Sequence, residues 1–260
     1  MPAPVPPYVE GHRLLDGRTV VVTAAAGTGI GSAVARRCIE EGATVLVSDA
    51  HERRLGEAAE ALSELAGAPV ASAVCNVTVQ DDIDRLFSTA VAELGHIDVL
   101  INNAGLGGTA EIVEMTDEQW SLVLDVTLTG TFRATRAALQ HMVPRRSGVI
   151  VNNASVVGWR AQEGQAHYAA AKAGVMALTR CAAIEAAPRG VRVNAVAPSI
   201  AMHPHLAKVS SEELLAELAA REAFGRAAEP WEVADVIVFL ASGYSSYMTG
   251  EIVSVSSQHP

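Results

Sequence analysis

The chain has 260 residues, half of them apolar and 18% charged, a composition that suits one large domain with a sizeable core and excludes disorder. Its 29 acidic and 19 basic side chains leave a formal charge of −10 at pH 7, the wrong sign for non-specific nucleic-acid binding. No apolar run approaches the roughly 18 residues of a membrane-spanning helix, so neither a nucleic acid nor a membrane is an expected partner.

In chain order, residues 1–13 carry Pro2, Pro4, Pro6 and Pro7. They suit an extended arm and lack the basic and apolar parts of a secretory signal. Thr19–Thr23 then reads as a first strand and Gly29–Glu41 as a helix. Strand Thr44–Asp49 precedes helix Glu52–Leu65, and strand Val70–Cys75 precedes helix Val79–Leu94. Ile97–Ile101 leads into a long helical stretch, Asp117–Met142, and Val149–Asn153 into helix Gln165–Ala187. Strand Val191–Val196, helix Pro230–Ala241 and strand Glu251–Val255 complete the series.

Most of these strands are apolar throughout, as parallel strands covered on both faces are. Long helical crossovers between them predict one α/β domain over residues 14–260. It is a single-domain, doubly wound Rossmann fold: a seven-stranded parallel sheet with helices on both faces. Residues 199–225 break the rhythm with a His/Pro-rich start and a helix that Ser210 or Ser211 caps. An insertion at the carboxyl edge of such a sheet reads as a substrate lid, a plain surface helix being the alternative. Cys38, Cys75 and Cys181 are scattered and odd in number. They read as reduced core residues of a cytoplasmic protein, with no metal site.

The first strand runs into Thr23-Ala24-Ala25-Ala26-Gly27-Thr28-Gly29-Ile30-Gly31 and then a helix. Glycines there let the backbone approach a pyrophosphate, whose charge the helix amino end attracts. Asp49 closes the second strand 20 residues beyond Gly29, the spacing of the acid that holds the adenosine ribose of NAD. A carboxylate there repels the 2′-phosphate of NADP, so NAD is the expected cofactor and NADP the lesser one. Asp49 also suits an N-cap of the next helix. Arg53 and Arg54 either soften the preference or lie on a solvated face.

Tyr168-Ala169-Ala170-Ala171-Lys172 sets a phenol and an ammonium on one helix face. With four tyrosines and two lysines in the chain, chance gives such a pair about 3% of the time. Ser155 follows the strand that ends at Asn153, at the edge where ligands bind. A nearby cation lowers an anion's pKa by about 1–3 units, so Lys172 is expected to bring the Tyr168 phenol toward neutrality. Ser155 would donate a hydrogen bond to a substrate oxygen. The plain alternative is a packed Tyr and a solvated Lys, which explains neither Ser155 nor the glycine loop.

These motifs together, with Asn102-Asn103-Ala104-Gly105, Arg192-Val-Asn-Ala-Val-Ala-Pro198, Gly225-Arg226 and Glu229-Pro230, resemble the short-chain dehydrogenase/reductases over about Leu14 to Val255. The resemblance implies hydride transfer between nicotinamide C4 and a carbinol or carbonyl carbon. Tyr168 would be the general base or acid, Lys172 its tuner and ribose ligand, and Ser155 the orienter of the carbonyl. It also assigns Asn76, Val77, Asn103, Ala104, Gly105, Pro198 and Ile200 to the dinucleotide. A homotetramer is implied, built on the helices at 117–142 and 165–187.

Several positions depart from the family pattern. Ala24 stands where the first glycine is usual, with Gly27 as its expected substitute, and Asn76 replaces an aspartate at the adenine. Thr127 occupies the place of a catalytic asparagine, whose backbone carbonyl holds a water linking the lysine to solvent. Ser199 and His203 replace a glycine and a threonine, and the tail from Ser256 to Pro260 lacks the usual Asp-Gly-Gly. Some of these, with Trp159-Arg160-Ala161-Gln162, are similar to an actinobacterial branch that degrades the steroid C and D rings, acting on a hydrindane propanoate as a CoA thioester. Trp159, Gln165, Met202 and His203 are then candidates for the substrate wall, packing or exposure being equally open. Two other readings compete. A 3-oxoacyl-thioester reductase using NADPH would place Arg133 and Arg189 against an acidic carrier protein. A non-catalytic nucleotide sensor would normally have lost the tyrosine or lysine.

Overall fold

All seven expected strands form, and every pair is parallel, in the order β3-β2-β1-β4-β5-β6-β7. The computed structural model describes residues 2–202 and 212–257, without the side chains of 212–214. The strands are β1 Thr19–Val22, β2 Thr44–Asp49, β3 Ala71–Val74, β4 Val99–Asn102, β5 Gly148–Asn153, β6 Val191–Pro198 and β7 Ile252–Val255. The helices are α1 Ile30–Glu40, α2 Glu52–Ala66, α3 Gln80–Leu94, α4 Asp117–Leu124, α5 Gly130–Arg145, α6 Ala166–Ala186, α7 Glu212–Arg221 and α8 Pro230–Ala241.

Alternate side chains of β1 face opposite layers, which is why these strands are apolar throughout. Val20 and Val22 pack with Val34 and Cys38 of α1, Leu55 and Leu62 of α2, and Ile237 of α8. Val21 packs with Ile83 and Phe87 of α3, Ala138 of α5 and Ala183 of α6. β3 differs: Ser72 and Val74 are exposed at the edge of the sheet, so it alternates.

Two expectations need correction. Residues 117–142 are not one helix. A π-turn over Asp125–Thr129 separates α4 from α5, and the Thr131 hydroxyl donates to Thr127 O at 2.8 Å, competing with the regular backbone ladder. Cys38 and Cys75 are buried, but Cys181 is exposed, because it sits on the outward side of α6. The arm is extended but attached. Tyr8 hydrogen-bonds Glu40 and lies edge-on to Trp231, Arg37 donates to Val9 O, and the His12 and Leu14 amides donate to Glu41.

The strand order reverses between β1 and β4, the switch point where such sheets bind ligands. The carboxyl ends of β1, β4, β5 and β6 bring the glycine loop, Asn103, Ser155 and Ile200 to that edge. The 199–225 excursion leaves from it, and its neck is closed where Met202 N donates to Ala228 O and Ala228 N to Ile200 O. Its return leg is fastened as well: Ser257 donates twice to Glu222, and Ala3 N donates to Phe224 O. Ser210, Ser211 and His203, assigned above to a cap and a substrate wall, lie outside the described residues.

Candidate active site

The loop after β1 is shaped by Thr23 and Asn103. Thr23 Oγ1 accepts the amides of Asn103 and Ala104, and Asn103 Nδ2 donates to Ala24 O at 3.0 Å. Ala24 itself adopts φ 51°, the left-handed geometry that favours glycine. Ala24 rather than Gly27 therefore makes the first turn, although Gly27 is left-handed too, at φ 101°. Gly31 packs so closely that a Cβ would stand 2.2 Å from Ala24 O. Gly29 is the N-cap of α1, with Ile30 first in the helix; no side chain caps this end and its first turn holds no acid. Thr28 and Gly27 lie exposed before it. The free amides and the dipole there are left for an anion.

Asp49 ends β2, buried beside this loop, where its carboxylate accepts the Ala26 and His51 amides. Burial raises its pKa, partly offset by the Ala26 amide and by Arg54 at 3.9 Å. Asn76 is exposed, and its Oδ1 is engaged by the Thr78 amide and hydroxyl, leaving the Nδ2 donor for a ligand. Val77 is buried against Gly130. Ile200 is half-buried just beyond Pro198.

Ser155, Tyr168 and Lys172 are brought together by the end of β5 and the first turns of α6. Ser155 Oγ accepts the Val157 amide at 3.2 Å and hydrogen-bonds Tyr168. Lys172 Nζ is 5.5 Å from the Tyr168 ring centre and donates to Asn153 O at 2.6 Å. Burial pushes the phenol up to about 12, against a smaller pull from Ser155, and pushes the ammonium down to about 8. The expected lowering of Tyr168 by Lys172 is absent: burial of the phenolate dominates, and the only opposing pull is the Ser155 hydrogen bond. At neutral pH the pair is a neutral phenol beside a mostly charged amine.

Thr127 lies in the π-turn, fully buried, and its hydroxyl both accepts from Leu106 N and donates to Leu106 O. Its carbonyl takes the Thr131 hydroxyl. The loop 105–110 that it holds covers the amino end of α6, where Gln165 Nε2 donates to Gly108 O at 2.7 Å and Ala110 N to Gly164 O at 3.0 Å. Gln165 is thus occupied in holding the loop, while Trp159 is 43% exposed and Met202 half-buried. Reading the sequence missed Thr23 and the chain Asn102–Asn152–Thr179 that ties β4, β5 and α6 together. The only signal was that two apolar strands end in paired asparagines. Arg133 turns back to Val77 O and Asp125, and Arg189 is exposed. No helix among the described residues is long and apolar enough to cross a membrane, and they hold no group of three metal-ligating side chains.

An uncapped helix end, a buried acid one strand away and a phenol–amine–hydroxyl group thus share the carboxyl edge of the sheet. Residues 24–257 match the family described as enoyl-(acyl carrier protein) reductase. The chain is 64% identical over 256 residues, 98% of each protein, to "(5R,7aS)-5-hydroxy-7a-methyl-1-oxo-2,3,5,6,7,7a-hexahydro-1H-indene-carboxyl-CoA reductase" of Mycobacterium tuberculosis. It is 41% identical to a 3-oxoacyl-[acyl-carrier-protein] reductase of Thermotoga maritima, over 93% of this chain and 97% of that one. A crystal structure of a short chain dehydrogenase from Mycobacterium smegmatis superposes with TM-score 0.88 at 58% identity, covering 99% of each chain. The chain belongs to the short-chain dehydrogenase/reductase family and is an oxidoreductase.

Proposed function

We propose that the protein transfers hydride between NAD(H) and the secondary alcohol or ketone of a bulky, fused-ring CoA thioester derived from a steroid. The observation that carries this reading is the gathering of Ser155, Tyr168 and Lys172 beside an uncapped α1 and the buried Asp49. The 64% identity to a reductase named for a hexahydro-indene carboxyl-CoA supports the substrate class. The exposed apolar side chains Leu106 and Trp159 flank the site and suit a hydrocarbon ring.

The dinucleotide, when bound, supplies the hydride acceptor or donor. Gly27, Thr28, Gly29, Ile30 and Gly31 would hold its pyrophosphate, Asp49 its adenosine ribose, and Asn76 and Val77 the adenine. Asn103, Ala104 and Gly105 would line the adenosine half, Pro198 and Ile200 the carboxamide side, and Tyr168 and Lys172 the second ribose. Ser155 orients the substrate oxygen, its hydroxyl already polarised by the Val157 amide. Tyr168, a neutral phenol at pH 7, gives its proton to that oxygen during reduction and takes it back during oxidation. Lys172, fixed by Asn153 O, keeps a positive charge near the phenolate as it forms. The Thr127 hydroxyl keeps the covering loop in place.

The competing reading, a carrier-protein 3-oxoacyl reductase using NADPH, draws on the Thermotoga maritima relative. Against it, Arg133 is turned inward and Asp49 opposes a 2′-phosphate. Initial rates on a hydrindane CoA thioester and on acetoacetyl-CoA, each with NADH and NADPH, separate the two. At least tenfold higher kcat/KM with NADH and the bicyclic thioester is expected; the opposite preference overturns both assignments. A homotetramer is part of the proposal: Trp120 and Phe132 beside the π-turn, and Ile184 on α6, are exposed apolar side chains available for burial between copies. Light scattering tests it, and a monomer contradicts it.

A further inference from the structure

Three glycines of the loop over α6 differ in why they are glycine. A Cβ at Gly105 would stand 3.3 Å from Lys172 Nζ, and one at Gly108 3.2 Å from His167 Nε2, both tight contacts. At Gly107 the nearest atoms to such a Cβ are the Tyr168 ring carbons Cδ2 and Cε2, at 3.9 and 4.0 Å, an ordinary van der Waals separation. Gly107 is not among the residues of positive φ either. Neither backbone geometry nor packing requires glycine there, although glycine in a fixed loop carries an entropic cost.

We propose that Gly107 is a specificity-determining residue, whose missing side chain leaves room beside the Tyr168 ring for the second ring of a fused bicyclic substrate. This deepens the function proposed above and rests on it. The wall cannot draw back to make that room in another way. Thr127 holds Leu106 by its amide and its carbonyl, Gln165 holds Gly108 O, and Gly164 O holds Ala110 N. The space beside the phenol is therefore set by the side chain at 107. The neighbouring Leu106 side chain, 37% exposed, offers an apolar surface and no charge. A branched side chain at 107 would run along the edge of the tyrosine ring and exclude a wide substrate while still admitting a narrow one.

The test compares G107V and G107A with the native enzyme on two CoA thioesters with one dinucleotide. One is a hydrindane-type bicyclic ketone; the other is acetoacetyl-CoA, or the shortest linear 3-oxoacyl-CoA that the native enzyme turns over. For G107V the ratio of kcat/KM, bicyclic to linear, is expected to fall at least tenfold, about 1.4 kcal/mol, with the linear rate within about threefold of native. For G107A a fall of about threefold is expected, and this decides the matter if G107V does not fold. Equal losses on both substrates, or an unchanged ratio, overturn the proposal. If the native enzyme itself fails to turn over the bicyclic thioester, the functional reading falls, and the role of Gly107 with it.

Discussion

Ala24 places a side chain at a backbone position that favours glycine. It holds φ 51° where a Cβ is strained, because its carbonyl is gripped by Asn103 Nδ2 and backed by Gly31. Reading the sequence placed the flexible position at Gly27, since a missing glycine invites a search for the next one. Gly27 is left-handed, but so is Ala24, where Thr23 and Asn103 fix the loop, and those long-range bonds leave no local trace in the sequence. A24G should relieve the strain against a looser unfolded chain, a net stabilisation of about half a kcal/mol. Urea unfolding measures it, and a clear destabilisation would mean that the alanine methyl is packed favourably.

At the scale of elements, strands were legible because burial on both faces leaves continuous apolar runs, and β2 matches its expected span, Thr44–Asp49, to the residue. The break between α4 and α5 was not legible. Helical periodicity continues through Asp125–Thr129, and only the hydroxyl of Thr131, turned onto Thr127 O, marks the π-turn. That turn sets the Thr127 hydroxyl against Leu106, joining a helix to the loop over the tyrosine. T127V keeps the shape but removes both bonds, so kcat/KM should fall about tenfold, as small misplacements at reacting centres do. T127S should stay within about threefold of native. Equal activity in T127V would show that the loop is held without it.

Over the whole molecule, the proposed active-site residues gather at the carboxyl edge and a charged cluster sits at the opposite one. There Asp98 accepts from Thr19 and Arg145, and His141 Nε2 accepts the Ile97 amide. Burial, reinforced by Arg145, lowers the pKa of His141. Burial opposes ionisation of Asp98, but the Thr19 amide and Arg145 outweigh it and lower its pKa as well. Both groups bind fewer protons folded than unfolded, so each stabilises above its unfolded pKa and loses that as pH falls through its folded value. Stability should therefore decline first below about pH 6.5, and again in the acid range below about pH 4. H141Q, which cannot titrate, should lose the first step when urea midpoints at about pH 7.5 and about pH 5.5 are compared. A midpoint that drops equally in both proteins contradicts this. The arm and the tail belong to the same scale. Ala3, Ser257 and the Glu222–Gly225 turn meet across the length of the chain, so proline spacing forecast an extended arm but not what it would touch.

In the proposed mechanism the Tyr168 hydroxyl moves the proton, and removing that one oxygen tests it most directly. In Y168F, dinucleotide affinity measured by quenching of NADH fluorescence should stay within about threefold of native, while turnover falls at least a thousandfold. Turnover within tenfold of native, with the nucleotide still bound, would mean that the proton moves by another route.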